Sequence, residues 1–121
     1  MQHAVRDLIR SERRAFLAAR RACDVEASLR ALERWHILAQ PSAVPHLRVH
    51  MTMLAFAART ADMREVRGQL MRLLLAPLGN LTGRLPTGNT GRSDVSAFAP
   101  MPMPADLEAA LSRSGDERCP G

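Results

Sequence analysis

The stretch "AARRACDVEASLRALER" (residues 18–34) is echoed about 38 residues later by "AARTADMREVRGQLMRL" (residues 57–73), which sets Asp24 on Asp62, Leu32 on Leu70 and Arg34 on Arg72. An internal repeat restricts a fold more than composition does. Each unit has to be a supersecondary element that buries its apolar face against its neighbour. Here the unit is helical: through residues 1–75, Ala, Leu, Arg, Glu and Met dominate, and apolar positions recur at three- and four-residue spacing. The breaks fall at Cys23-Asp24, Gln40-Pro41-Ser42 and Asp62. Asp24 and Asp62 read as helix N-caps, and Ser42 as the cap of a helix with Pro45 in its first turn. The spacing predicts helices over about 3–22, 25–39, 43–60 and 63–76. These form two antiparallel helical hairpins, packed either as a solenoid-like stack or as a compact four-helix arrangement.

From Pro77 the composition shifts. Residues 77–104 concentrate Gly, Pro, Asn, Ser and Thr, the residues of turns and irregular backbone. The segment also carries Leu81, Leu85, Val95, Phe98, Met101 and Met103, so the expectation is an ordered strap anchored over the helices. A short helix follows at 105–113, and residues 114–121 read as a mobile tail. The whole is an all-α single domain over 1–113, a length that supports one modest core.

Charge narrows the function classes. The formal net charge is +5, and all 17 basic residues are arginine. Residues 1–72 hold 13 Arg against 7 acids, and residues 73–121 hold 4 against 5. The helical part is therefore basic. Its arginines are mixed with Glu and Asp, however, and aromatics make up only 3% of the chain, which leaves no stacking platform for single-stranded nucleic acid. No apolar run approaches the roughly 20 residues that span a bilayer, and the charged N-terminus lacks a signal-peptide core. Cys23 and Cys119 are too distant for a metal knuckle and do not form a disulfide framework. A cytoplasmic protein without a membrane segment is expected.

Three of the four histidines lie within "WHILAQPSAVPHLRVH", on either side of a proline-marked turn. At about 100° per residue, Val25, Leu29, Leu32 and His36 fall within roughly 40° of one line on the second helix. On the third helix His46, His50 and Met53 stack on one face, opposite Arg48, Thr52 and Arg59. The short turn makes the two helices antiparallel neighbours. That sets His36 level with His46 and His50, and Glu33 level with His50. Three imidazoles facing inward suit zinc, copper or nickel, and an i, i+4 pair completed from a facing helix supplies three protein ligands. Glu33 is the candidate fourth ligand or orienting group, with Trp35 and Met53 shaping the pocket. The competing reading makes the histidines structural, each satisfied by its own hydrogen bonds. The HxxxH spacing here lacks the glutamate of zinc proteases, since Leu47 follows His46.

Other motifs carry less. Met51, Met53, Met101 and Met103 are soft side chains that would suit Cu(I), but methionine also fills cores. "GRLPTGNTGRSD" has glycines and arginines without a phosphate-loop pattern and reads as turns. No Ser–His–Asp or paired-carboxylate arrangement is present, and enzymatic activity is not the expectation.

The segments "LERWHILAQP", "HLRVHMTML", "ADMREVRGQLMRL", "GRLPTGNTG" and "VSAFAPMPMPADL" together resemble a bacterial family of uncharacterised proteins, domain of unknown function 3703, over about residues 14–111. Cys23-Asp24 stands where Gly-Asp is usual in that family, Trp35 where a small residue is usual, and Arg92-Ser93-Asp94 where Gly-Ala-Asn is typical. The resemblance implies a shared site at His36, His46 and His50 and carries no activity with it. The hairpins are also similar to tetratricopeptide repeats, without their Trp-Leu-Gly-Tyr signature. Two functions are therefore expected: a helical protein that binds a divalent transition metal in metal handling or sensing, or a tetratricopeptide-like module that engages a partner protein or a second copy of itself.

Overall fold

The computed structural model describes residues 3–82, 89–92 and 100–116. Five helices follow in order: α1 (His3–Arg21), α2 (Val25–Ala39), α3 (Ala43–Arg59), α4 (Met63–Thr82) and α5 (Ala105–Asp116). There is no strand among the described residues. Helix α1 packs along α2 and α3 along α4, giving the two expected hairpins. They join through α2 and α3, and α5 lies across α1 and α2.

The repeat is visible in the backbone. Helix α1 ends with Cys23 at φ 57° and α3 ends with Ala61 at φ 56°, 38 residues apart. In both, the following aspartate N–H reaches back to a helix carbonyl, Asp24 to Ala19 at 3.0 Å and Asp62 to Ala57 at 2.9 Å. Cys23 and Ala61 in turn donate to Arg20 and Ala58. These are paired Schellman endings. Each aspartate then caps the next helix: Asp24 Oδ1 accepts from Ala27 N–H at 3.0 Å and Asp62 Oδ1 from Glu65 N–H at 3.1 Å. Replacing either aspartate by alanine is expected to cost about 1 kcal/mol in urea unfolding, with equal losses at the two turns.

Ser42 occupies the cap position of α3 with extended backbone, but its side chain makes no capping bond. The N3 residue is Pro45, which has no N–H to offer, so the usual capping partner is missing.

Two apolar clusters hold the helices. Phe16, Ala31, Leu32, Trp35, Ala39, Val49, Met53 and Phe56 fill the space between α1, α2 and α3, with Phe16 and Phe56 edge to face at 5.6 Å. Val5, Ile37, Leu38 and Leu107 form the second beneath α5, with Met103 against it. Arg34 ties α1 and α5 to α2 through ion pairs with Glu12 at 2.8 Å and with Asp106.

The region after residue 76 departs from expectation. Helix α4 continues through Pro77 to Thr82 instead of stopping at 76. An interior proline costs a helix roughly 3 kcal/mol. Tertiary bonds of Asn80 offset it: its Nδ2 donates to the Gln40 carbonyl at 2.9 Å, and its Oδ1 meets His46. With Asn80 turned inward, Leu81 projects outward at 85% exposure, so it is not the anchor expected of it. Met101 is half-buried and Met103 packs on the second cluster, whereas Leu85, Val95 and Phe98 lie outside the described residues. Helix α5 runs three residues past 113, and most of the expected tail also lies outside that range.

Candidate metal centre

Helices α2 and α3 bring three imidazoles to one point. His36 Nε2 lies 3.1 Å from His46 Nε2 and 3.1 Å from His50 Nε2, and the latter two are 3.0 Å apart. All three side chains are buried, at 2–3% exposure. The i, i+4 pair comes from one face of α3 and the third ring from the facing stripe of α2, as the turn length and helix phase require.

The opposite ring nitrogens fix the tautomers. His36 Nδ1 lies 2.7 Å from the Asn89 carbonyl, which can only accept, so Nδ1 donates. His50 Nδ1 lies 2.7 Å from Gln69 Oε1, and the Gln69 amide orientation is set by Nε2 donating to Glu65 Oε1 at 2.8 Å and to the Gly91 carbonyl at 2.7 Å. His46 Nδ1 lies 2.8 Å from Asn80 Oδ1, with Asn80 Nδ2 committed to Gln40. Each Nδ1 thus carries its hydrogen outward, and each neutral Nε2 turns a lone pair inward. Three lone pairs at 3.0–3.1 Å repel one another unless a cation or a shared proton lies among them.

Burial weakens the proton's hold. It pushes His36 well below the ordinary imidazole range, helped by the adjoining His50 and His46 and opposed by the Asn89 carbonyl. Burial lowers His46 too, against the Asn80 bond, and brings His50 down to about 4 against the Gln69 bond. Unfolding returns each ring to its ordinary value of about 6.5. Between 6.5 and 4 the unfolded chain takes up protons that folded His50 does not, so stability falls as pH drops through that window. For chelator-treated protein, His50 alone is expected to remove about 3 kcal/mol between pH 7 and pH 4, read by urea unfolding at each pH.

A described piece of the glycine-rich segment closes over the rings. Gly91 sits at φ +80°, and a Cβ there would stand 2.5 Å from His36 Cδ2 and 2.8 Å from its Nε2. Its N–H bonds Asn89 Oδ1 at 2.9 Å, which holds the turn that aims the Asn89 carbonyl at His36. Residues 83–88 and 93–94 of this motif lie outside the described residues, and Gly91 gives the backbone its close approach to an imidazole.

Glu33 is directed elsewhere. Its carboxylate lies 3.4 Å from Arg92 Nη1, outside the trio of imidazole nitrogens, which are mutually within 4.8 Å. Arg92 also meets Glu65 at 3.2 Å, so an outer chain runs from Arg92 through Glu65 and Gln69 to His50. Met53 and Trp35 are core residues. Met53 lines a cavity of about 300 Å³ with Glu65 and Arg92, and Trp35 lines a separate groove.

Sequence reading missed Gln69, Asn80 and the Asn89 carbonyl as the groups that orient the rings. Glu65, Gln69 and Arg72 are buried on α4 at four- and three-residue spacing, with Ala76 four further on, an inward stripe whose polar residues carry no apolar periodicity. Asn80 fell beyond the expected helix end.

No helix among the described residues is long and apolar enough to cross a membrane. No curated protein and no solved structure matches the chain. The family model described as "Protein of unknown function (DUF3703)" matches residues 3–111, which span every element of the site, and the chain belongs to that family.

Proposed function

We propose that the protein binds one divalent transition metal through the Nε2 atoms of His36, His46 and His50, in metal handling or sensing. The observation that carries this reading is the triangle of inward lone pairs locked by three outward Nδ1–H bonds. The 3.0–3.1 Å separations of the three nitrogens would let one ion reach all of them at ordinary metal–imidazole distances of about 2.0–2.1 Å. The three neutral nitrogens would supply the protein's ligands to that ion. Imidazole nitrogens suit zinc, copper or nickel over calcium or magnesium.

Carbonyl acceptors behind each imidazole raise its basicity toward a metal and fix its orientation. Asn80→Ala is accordingly expected to weaken metal binding about 10-fold, measured by competition with a coloured chelator. The test of the function itself is metal content by mass spectrometry on untagged protein purified without chelator. Near-stoichiometric zinc, copper or nickel that disappears in His50→Ala supports the reading. Protein that is metal-free, refuses added metal and yet loses stability in the variant makes the trio architectural.

A further inference from the structure

On the side of the molecule where Trp35 lies, α1 and α3 meet only through side chains such as Phe16 and Phe56, without close backbone approach, and leave a groove of about 600 Å³. Arg6, Arg10, Arg13 and Arg20 line it from α1, and Arg48 lines it from α3. Its apolar floor includes Ile9, Phe16, Leu17 and Trp35, and Met51 stands 62% exposed on the α3 side. No acidic side chain is among the lining residues. The acids of the same helix are turned aside or spent locally: Glu12 pairs with Arg34, and Asp7 with Arg10 at 3.4 Å. Arg20 lies over the Phe16 ring at 5.8 Å. Among the described residues no ion pair engages Arg6, Arg13 or Arg48.

We infer that this groove docks an acidic amphipathic helix of a partner protein. The arginines at 6, 10, 13 and 20 recur on one face of α1 over about 21 Å, which matches roughly four turns of a bound helix. Apolar side chains of that helix would meet the half-buried Ile9 and Leu17 and the exposed Met51, because Phe16 and Trp35 belong to the core beneath. Carboxylates flanking them would meet guanidinium groups on both walls, in the bidentate pairing that arginine favours. The arrangement disfavours other occupants. A single nucleic-acid strand needs exposed ring faces, and Trp35 is only 6% exposed. An acyl chain needs one charged end, whereas here the charge runs along the walls. A second copy's exposed apolar stripe on α4, with Leu70, Leu74 and Leu78, is flanked by Arg64 and Arg67 and would meet like charge.

The probe is a 14-residue fluorescein-labelled helix with leucines at i, i+3, i+4 and i+7 and glutamates flanking them, titrated with the full chain and followed by anisotropy. Saturable micromolar binding is expected. It should be at least about 10-fold weaker for the same peptide with lysine in place of glutamate. It should weaken at least about 10-fold again in Arg13→Glu/Arg48→Glu, whose exposed positions leave the helical circular dichroism and the metal content unchanged. The inference is overturned by any of three results: no saturation below about 100 µM, equal binding of the lysine peptide, or binding untouched by the charge reversal. It is overturned equally if phosphatidylglycerol vesicles or a 20-nucleotide oligothymidylate bind more tightly than the glutamate peptide. The metal site plays no part in these outcomes.

Discussion

Adding a single methyl group at residue 91 is expected to destabilise the folded chain by about 3 kcal/mol and to weaken metal binding about 100-fold. Two effects combine in Gly91→Ala. The backbone φ of +80° is one that L side chains rarely adopt, at a cost of about 1–2 kcal/mol. The new Cβ would also stand 2.5–2.8 Å from the His36 ring, so either the ring or the 89–92 backbone must move. Moving the ring lengthens its 2.7 Å bond to the Asn89 carbonyl and takes Nε2 out of the triangle. Moving the backbone breaks the Gln69 bond to the Gly91 carbonyl and loosens the acceptor behind His50. The first route disturbs His36 alone, and the second disturbs the acceptors behind both His36 and His50. Urea unfolding with and without chelator separates the parts: the strain persists without metal, and the affinity loss appears only with it.

The second large effect is stabilisation by the ion. Metal at 100 times its dissociation constant is expected to add about 2.7 kcal/mol to the folded state, raising the melting temperature by about 10 °C. His36→Ala, His46→Ala and His50→Ala should each abolish that rise. Because burial lowers the proton affinity of all three rings, the gain should fall off less steeply below pH 6.5 than it would at exposed imidazoles. A scan of melting temperature against added zinc, nickel and copper at pH 7 and pH 5.5 measures it. An equal rise in His50→Ala would place the binding elsewhere.

The histidine trio was legible in the sequence because helices are periodic. His36 sits on the line of Leu32, and His46 and His50 share a face with Met53, so phase and turn length suffice to bring three rings together. The paired turns were legible for a similar reason, since Asp24 and Asp62 announce caps by residue type. The groups behind the rings were not. Gln69 and Asn80 are polar residues on an inward face, and only their partners justify burial there. The Asn89 contribution is a backbone carbonyl, which no side-chain pattern encodes. Pro77 concealed Asn80 by signalling a helix end that tertiary bonds override. Glu33 was placed near His50 by register alone, and the register could not foresee that Arg92, 59 residues away, would take its carboxylate.

Whether three Nε2 atoms hold one ion can be read from X-ray absorption on protein loaded with one equivalent of zinc. Three imidazole nitrogens at about 2.0–2.1 Å are expected, with the outer-ring scattering of imidazole, and loss of one such nitrogen in His50→Ala. A first shell of oxygens without imidazole scattering, or a spectrum identical in wild type and variant, would contradict it.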